Sequence, residues 1–231
     1  MSRKLNRRIT LALTVLLGVA LLLLAWPRLQ ASYRFLPVDI ALERYFASGQ
    51  IPSDRLAVLI RFTDQAIALH DHYRFHESLS LLHLLRAMDM NTPALERRGA
   101  YRAAGTAARD SLVRAPAQPA AWLRLATVRW ILHDEPGQVV EPWKMSIFTG
   151  RTDTSLIVAR VEIGLAHWRY LDDEALAMLR DQLLLGWRLQ PGSMIRTLAR
   201  MDRGLTQTRA LIRSTDPAAL AEMEAWLERL R

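Results

Sequence analysis

Ile9-Thr-Leu-Ala-Leu-Thr-Val-Leu-Leu-Gly-Val-Ala-Leu-Leu-Leu-Leu-Ala-Trp26 is a run of eighteen residues without a charge; Arg3, Lys4, Arg7 and Arg8 precede it and Pro27 follows it. As a helix it reaches roughly 27 Å, close to the hydrocarbon thickness of a bilayer. Backbone polar groups in lipid must find partners inside their own segment, which a helix allows. The run reads as a transmembrane helix ended by Pro27. Its basic flank, with no acidic residue before Asp39, places the N-terminus in the cytoplasm. A cleaved secretory signal shares the basic start, but its apolar core is usually about 7–15 residues. Leu23 and Leu29 also stand where cleavage after Ala25 or Ala31 requires a small residue. An uncleaved signal-anchor is therefore preferred. Gly18 has no small residue four positions later, so no small-residue dimer motif is present.

Outward from this run the chain divides into a basic tail over 1–8, the anchor over 9–26, a juxtamembrane connector over 27–52 and a helical domain over 53–231. Pro37, Gly49 and Pro52 punctuate the connector, which is expected to hold one short helix over Asp39–Ala47. Beyond it, apolar residues recur at spacings of three and four and no stretch alternates with a period of two, so the domain is expected to be all-α. Helices are expected from Ser53 or Asp54 to about Leu69, over Phe75–Met88, from Pro93 to about Arg114 and over Ala120–Leu132. Others are expected from Thr152 or Asp153 to Tyr170, from Asp172 or Asp173 to Leu189, over Ser193–Ser214, and from Asp216-Pro217 to the end. Between His133 and Arg151 the helical period lapses around Pro136, Gly137, Pro142 and Gly150. That stretch is expected to be irregular and, because Trp143, Met145, Ile147 and Phe148 make it apolar, to pack back on the domain.

Composition narrows the function. The chain has no Cys, which removes disulfides, thiolate nucleophiles and Cys-based zinc sites. Its charge of +8 comes from 31 basic and 23 acidic residues; without the four basic residues of the tail, 27 face 23. That small excess is dispersed, so no nucleic-acid surface is expected.

Small residues and prolines at fixed offsets are how stacked helical hairpins are built. Phe62, Ala66 and Leu69 are followed by Ser78 and Leu82 at such offsets. Ala104, Ala108 and Ser111 precede Pro116, after which come Trp122, Leu125 and Ala126. The pattern resembles divergent tetratricopeptide-like repeats and implies a helical-hairpin solenoid; the alternative is an irregular helical bundle, since no strict 34-residue period is kept. The segment Val158-Ala-Arg-Val-Glu-Ile-Gly-Leu-Ala-His-Trp168, then Asp172-Asp-Glu-Ala, then Arg180-Asp-Gln-Leu-Leu-Leu-Gly-Trp-Arg-Leu-Gln-Pro191, makes the whole layout resemble the membrane-anchored accessory proteins of bacterial exopolysaccharide gene clusters, of the VpsP-like kind. That resemblance implies an inner-membrane anchor, a periplasmic helical-repeat domain and partners among polysaccharide polymerase, flippase or copolymerase components.

No catalytic constellation is present, and neither cofactor nor metal is expected. His70, Asp71, His72, His76, Glu77 and His83 form the densest polar cluster, but Asp71–Tyr73 falls where a hairpin turn is expected, so the histidines divide between two helices and lack a dependable third ligand. Asp172, Asp173 and Glu174 stand at a helix start, where carboxylates favour the helix dipole. Ser155 and Ser193 lack a nucleophile context. Tryptophans at helical spacing are usually interhelix filling, though Trp122, Trp130, Trp168, Trp187 and Trp226 would stack on sugar rings if exposed. The candidate surface for a protein partner or a polysaccharide is therefore Trp122, Arg124, Arg129, Trp130, Trp143, Arg160, Trp168 and Arg169. The expected function is a non-catalytic, membrane-anchored periplasmic scaffold; the alternative is a carbohydrate-binding module that handles the nascent polymer.

Overall fold

Ala31, Phe35, Val38 and Leu42 recur at intervals of four, three and four, the spacing of one face of a helix, and all four are buried. A computed structural model, which describes residues 2–201 and 204–229, shows what they bury against. The first helix, α1, runs from Ser2 to Ser48 through both Pro27 and Pro37. Its second half packs on α2 (Ser53–Leu69) and α3 (Tyr73–Met88), with Leu56, Leu59, Ile60, Phe75 and Leu82 in the same cluster. The Phe35 and Phe75 rings lie 4.6 Å apart. The expected end at Pro27 and the expected connector are thus corrected. Each proline removes one helical hydrogen bond, and tertiary burial of the next three turns outweighs that loss.

Among the described residues the fold is all-α, with no strand. The remaining helices are α4 (Ala94–Arg114), α5 (Pro119–Ile131), α6 (Pro136–Thr149), α7 (Thr154–Ala166), α8 (Asp173–Leu189), α9 (Pro191–Arg200), α10 (Gly204–Ile212) and α11 (Pro217–Glu228), with a 3-10 turn at Trp168–Tyr170. From α1 to α6 each helix packs chiefly on its sequence neighbours. Of the small residues singled out in the sequence, Ala104 and Ser111 sit where α4 meets α3. Ser80 donates to the Ala104 carbonyl at 2.9 Å, and Ser111 donates to the Tyr73 carbonyl at 3.1 Å. The largest core gathers α5 to α11 around Trp143, Leu165, Leu179, Leu183, Met194 and Ile195.

Two further expectations are corrected. The stretch 133–151 contains a helix, α6, rather than an irregular segment. Pro136 opens it at its first turn, a favoured place for proline. Pro142 inside it cannot donate to the Gln138 carbonyl, and Arg129 Nη1 takes that acceptor instead, at 2.6 Å. Packing against the domain holds as expected for Trp143 and Ile147, whereas Phe148 is exposed. The expected helix over 193–214 is divided, because Met201 leaves helical geometry after α9 and Gly204 begins α10. A Cβ on Gly204 would meet Met201 Cβ at 2.9 Å and the Leu198 carbonyl oxygen at 3.2 Å, so this corner needs glycine. The expected end of the last helix at Arg231 lies outside the described residues.

Gly164 gives a direct test of the main core. A Cβ there would meet Leu179 Cδ1 at 2.7 Å and Trp143 Cζ2 at 2.9 Å. Gly164→Ala is expected to destabilise by about 1–3 kcal/mol through overpacking, read as a lower urea midpoint at unchanged slope.

Candidate functional site

The eight residues of the candidate surface do not assemble into one face. Trp143 and Arg160 are fully buried, and the surface role expected for them does not hold. Trp143 Nε1 donates to the Arg160 carbonyl at 2.7 Å. The Arg160 guanidinium donates to Ser146 Oγ at 3.0 Å, the Ser146 carbonyl at 2.6 Å, the Gly150 carbonyl at 2.9 Å and Gln182 Oε1 at 3.3 Å. Burial lowers its pKa to about 10, so it stays a cation at neutral pH, satisfied by neutral acceptors. It ties α6, α7 and α8 together from within. In sequence it looked like any other arginine; the signal was its place between Val158 and Val161, on a helix with few polar residues.

The other six are dispersed. Arg124 is half-buried and committed to Glu77, donating to its carboxylate at 2.9 Å and its carbonyl at 2.7 Å. Arg129 serves the Gln138 carbonyl. Trp122 donates from Nε1 to the Pro116 carbonyl at 2.7 Å. Trp130 lies edge-on to His167, 5.9 Å between centroids, and both Trp130 and Trp168 pack against the main core. Arg169 alone is freely exposed.

The polar cluster of the α2–α3 turn is structural. Asp71 accepts from His76 Nε2 at 2.7 Å and from Arg114 Nε and Nη2 at 2.5 Å each, which joins this turn to the end of α4. His76 is buried. Among the described residues no three potential ligands converge on a metal position. Hydrogen bonds from Arg114 and His76 lower the Asp71 pKa to about 2. The unfolded carboxyl titrates near 3.9, so this tie contributes fully above about pH 4 and is lost as pH falls through about 2. Thermal melts from pH 5 to pH 2 are expected to show an acid decline in melting temperature that Asp71→Asn makes shallower. Asp172 likewise has a structural role, capping α8 through the Ala175 amide at 2.7 Å while Lys144 binds Asp172 at 3.3 Å and Glu174 at 2.6 Å.

Two of the tryptophans named as sugar-stacking candidates do meet. Trp187 of α8 and Trp226 of α11 stand perpendicular, 6.4 Å between centroids. They line an open cleft of about 470 Å³ with Arg188, Asp216 and Glu222. Glu222 accepts from Trp187 Nε1 at 3.3 Å, and Arg188 lies 3.6 Å from Asp216. A partly exposed aromatic ring beside two carboxylates and a guanidinium has the donors, acceptors and apolar face that a hydroxylated ring requires. Sequence reasoning missed Arg188, Asp216 and Glu222, because α8 and α11 are brought together only by tertiary packing.

A larger, more apolar concavity lies elsewhere. It is a groove of about 620 Å³ between α1 and α2, lined by Pro37, Ile40, Ile51, Val58 and Phe62 with Arg44 and Arg55 at its edge. It adjoins the only stretch, among the described residues, long and apolar enough to cross a membrane. No protein-family model matches the chain, and no curated protein matches it. Among the described residues that line them, neither cleft presents a nucleophile paired with a base.

Proposed function

We propose that the chain is a single-pass membrane-anchored adaptor acting through protein contacts, with its N-terminal end cytoplasmic and its helical domain on the periplasmic side of a bacterial inner membrane. The observation that carries this reading is the continuity of α1. Its first half is apolar and exposed on all sides from Leu13 to Trp26, and its second half is a core helix of the domain. A chain built this way holds its domain at a fixed height and tilt above the bilayer, instead of trailing it on a flexible linker. Confinement to the membrane plane raises the effective concentration of a partner in the same bilayer. The packing of each helix from α1 to α6 chiefly on its sequence neighbours suits a repeat-like scaffold. The resemblance carried by segments 158–168 and 180–191 supports exopolysaccharide assembly or export as the process, with polymerase, flippase or copolymerase components as partners. Crosslinking of the full-length chain in its native cells, read by mass spectrometry, is expected to capture such components. Their reproducible absence in cells making the polymer would reject the assignment.

A second reading rests on the Trp187–Trp226 cleft, which would make the domain a carbohydrate-binding module. Titration with oligosaccharides of the native polymer is then expected to quench tryptophan fluorescence, and Trp226→Ala is expected to abolish the response. A silent titration removes this reading and leaves the adaptor untouched.

A further inference from the structure

Beyond Trp26 the exposed side of α1 does not become polar. Leu29, Tyr33, Leu36 and Ile40 are 62%, 76%, 50% and 41% exposed, although Arg28, Gln30, Ser32 and Arg34 lie among them on other faces. Their intervals of four, three and four are those of a heptad, with Tyr33 and Ile40 at a positions and Leu29 and Leu36 at d positions. The register continues without a break into the apolar stretch, through Trp26 and Val19 at a and Leu22 and Val15 at d. Ala31, Phe35, Val38 and Leu42, which the domain buries, occupy c and f positions on the opposite side. The helix therefore has two apolar faces, and its own chain covers one of them. Lipid does not account for the other. Leu36 and Ile40 lie about 15 and 21 Å along the helix axis past Trp26.

We infer that this face is the seam of a parallel, in-register homodimer of α1. The occupant is a second copy for two reasons. First, two copies inserted in the same bilayer share one orientation, so their first helices meet in parallel; this step rests on the membrane-anchored reading above. Second, the flanking charges suit self-pairing. In a parallel two-stranded seam a g residue faces the e residue five positions later on the other helix. Asp39 is at g and Arg44 is at e, so each copy's Asp39 meets the other copy's Arg44. Arg44 has no ion-pair partner among the described residues of its own chain, while Asp39 uses Oδ1 for Arg74 at 2.7 Å and keeps Oδ2. The other flanking positions between Trp26 and Ile40 are Gln30, Ser32 and Pro37, which set no like charges together. The seam stops where it should. Glu43, the next d position, is acidic, so apolar contact ends at Ile40 and the Asp39–Arg44 pairs close the seam beside it.

Because the chain has no cysteine, single substitutions report one position at a time in the full-length protein in native membranes. Under mild oxidation, Leu29→Cys, Leu36→Cys and Ile40→Cys are expected to give disulfide-linked dimers, while Arg28→Cys and Arg34→Cys, at exposed positions off the seam, stay at background. In the Leu36→Cys background, Asp39→Arg or Arg44→Asp alone is expected to lower the dimer yield about tenfold, since two attractive contacts become repulsive. Co-expression of the two variants is expected to restore the yield, as each then complements the other. A flat profile, or no dimer while the chain resists alkaline extraction from membranes, would overturn the seam and leave the anchor standing. Capture of a different membrane protein at Leu36→Cys in place of a second copy would also overturn it. Release of the chain by alkaline extraction would reject the anchor itself, whatever the cross-linking shows.

Discussion

Trp143→Ala is expected to lower the unfolding free energy by about 3–5 kcal/mol, the range for truncating a large buried aromatic side chain. Trp143 is among the largest fully buried side chains, lies where any Cβ on Gly164 would strike it, and donates from its indole to the Arg160 carbonyl. Truncation leaves a void among α6, α7 and α8 that rigid neighbours fill only in part. Trp143→Phe keeps most of the volume and loses the hydrogen bond, so it is expected to cost less than half as much. Thermal and urea unfolding of the full chain in detergent, followed by circular dichroism, separates these outcomes. Equal small effects would mean that α6 is peripheral and that its apolar residues serve another purpose.

A chain that begins at Ser53, the boundary suggested by the proline and glycine punctuation, is expected not to fold, whereas one that begins at Arg28 is. The difference is the second half of α1. Removing it exposes Leu56, Leu59, Ile60, Phe75 and Leu82 and discards Phe35, Val38 and Leu42. At about 1.5–3 kcal/mol for each of those three large side chains, the loss is about 5–9 kcal/mol, as large as the net stability of many domains. A cooperative thermal transition in the chain from Arg28, and none in the chain from Ser53, is the expected pair of results. Equal transitions would restore 27–52 to the role of a connector.

Much of the fold was legible in the sequence because it rests on local pattern. The period of three to four residues, the prolines at helix starts and the Asp172 and Asp216 caps delimit most of the helices. The breaks expected at prolines share one cause. Pro27, Pro37 and Pro142 were read as breaks by their local chemistry, and in each place tertiary burial or a substitute donor such as Arg129 keeps the helix intact. Phe35, Val38 and Leu42 carried the correct signal for α1, but prolines and connector-like punctuation masked it. For the candidate surface, burial could not be inferred from residue type. Trp143 and Arg160 are interior and Trp226 partly exposed, although all three lie on helices of similar composition. The seam on α1 was hidden in the sequence for a different reason. A heptad becomes informative only once the opposite face is known to be taken.

The continuity of α1 carries the account of the anchor, the domain and the dimer seam alike. Hydrogen exchange across residues 27–48 of the full-length chain in lipid nanodiscs tests it most directly. The account predicts strong protection from Arg28 through Leu42, at the level of α2 and α3, because those amides belong to a helix packed in the domain core. Rapid exchange over 28–36, with protection resuming only after Asp39, would contradict it: the domain would hang on a flexible linker, and neither a fixed height nor a continuous seam would follow.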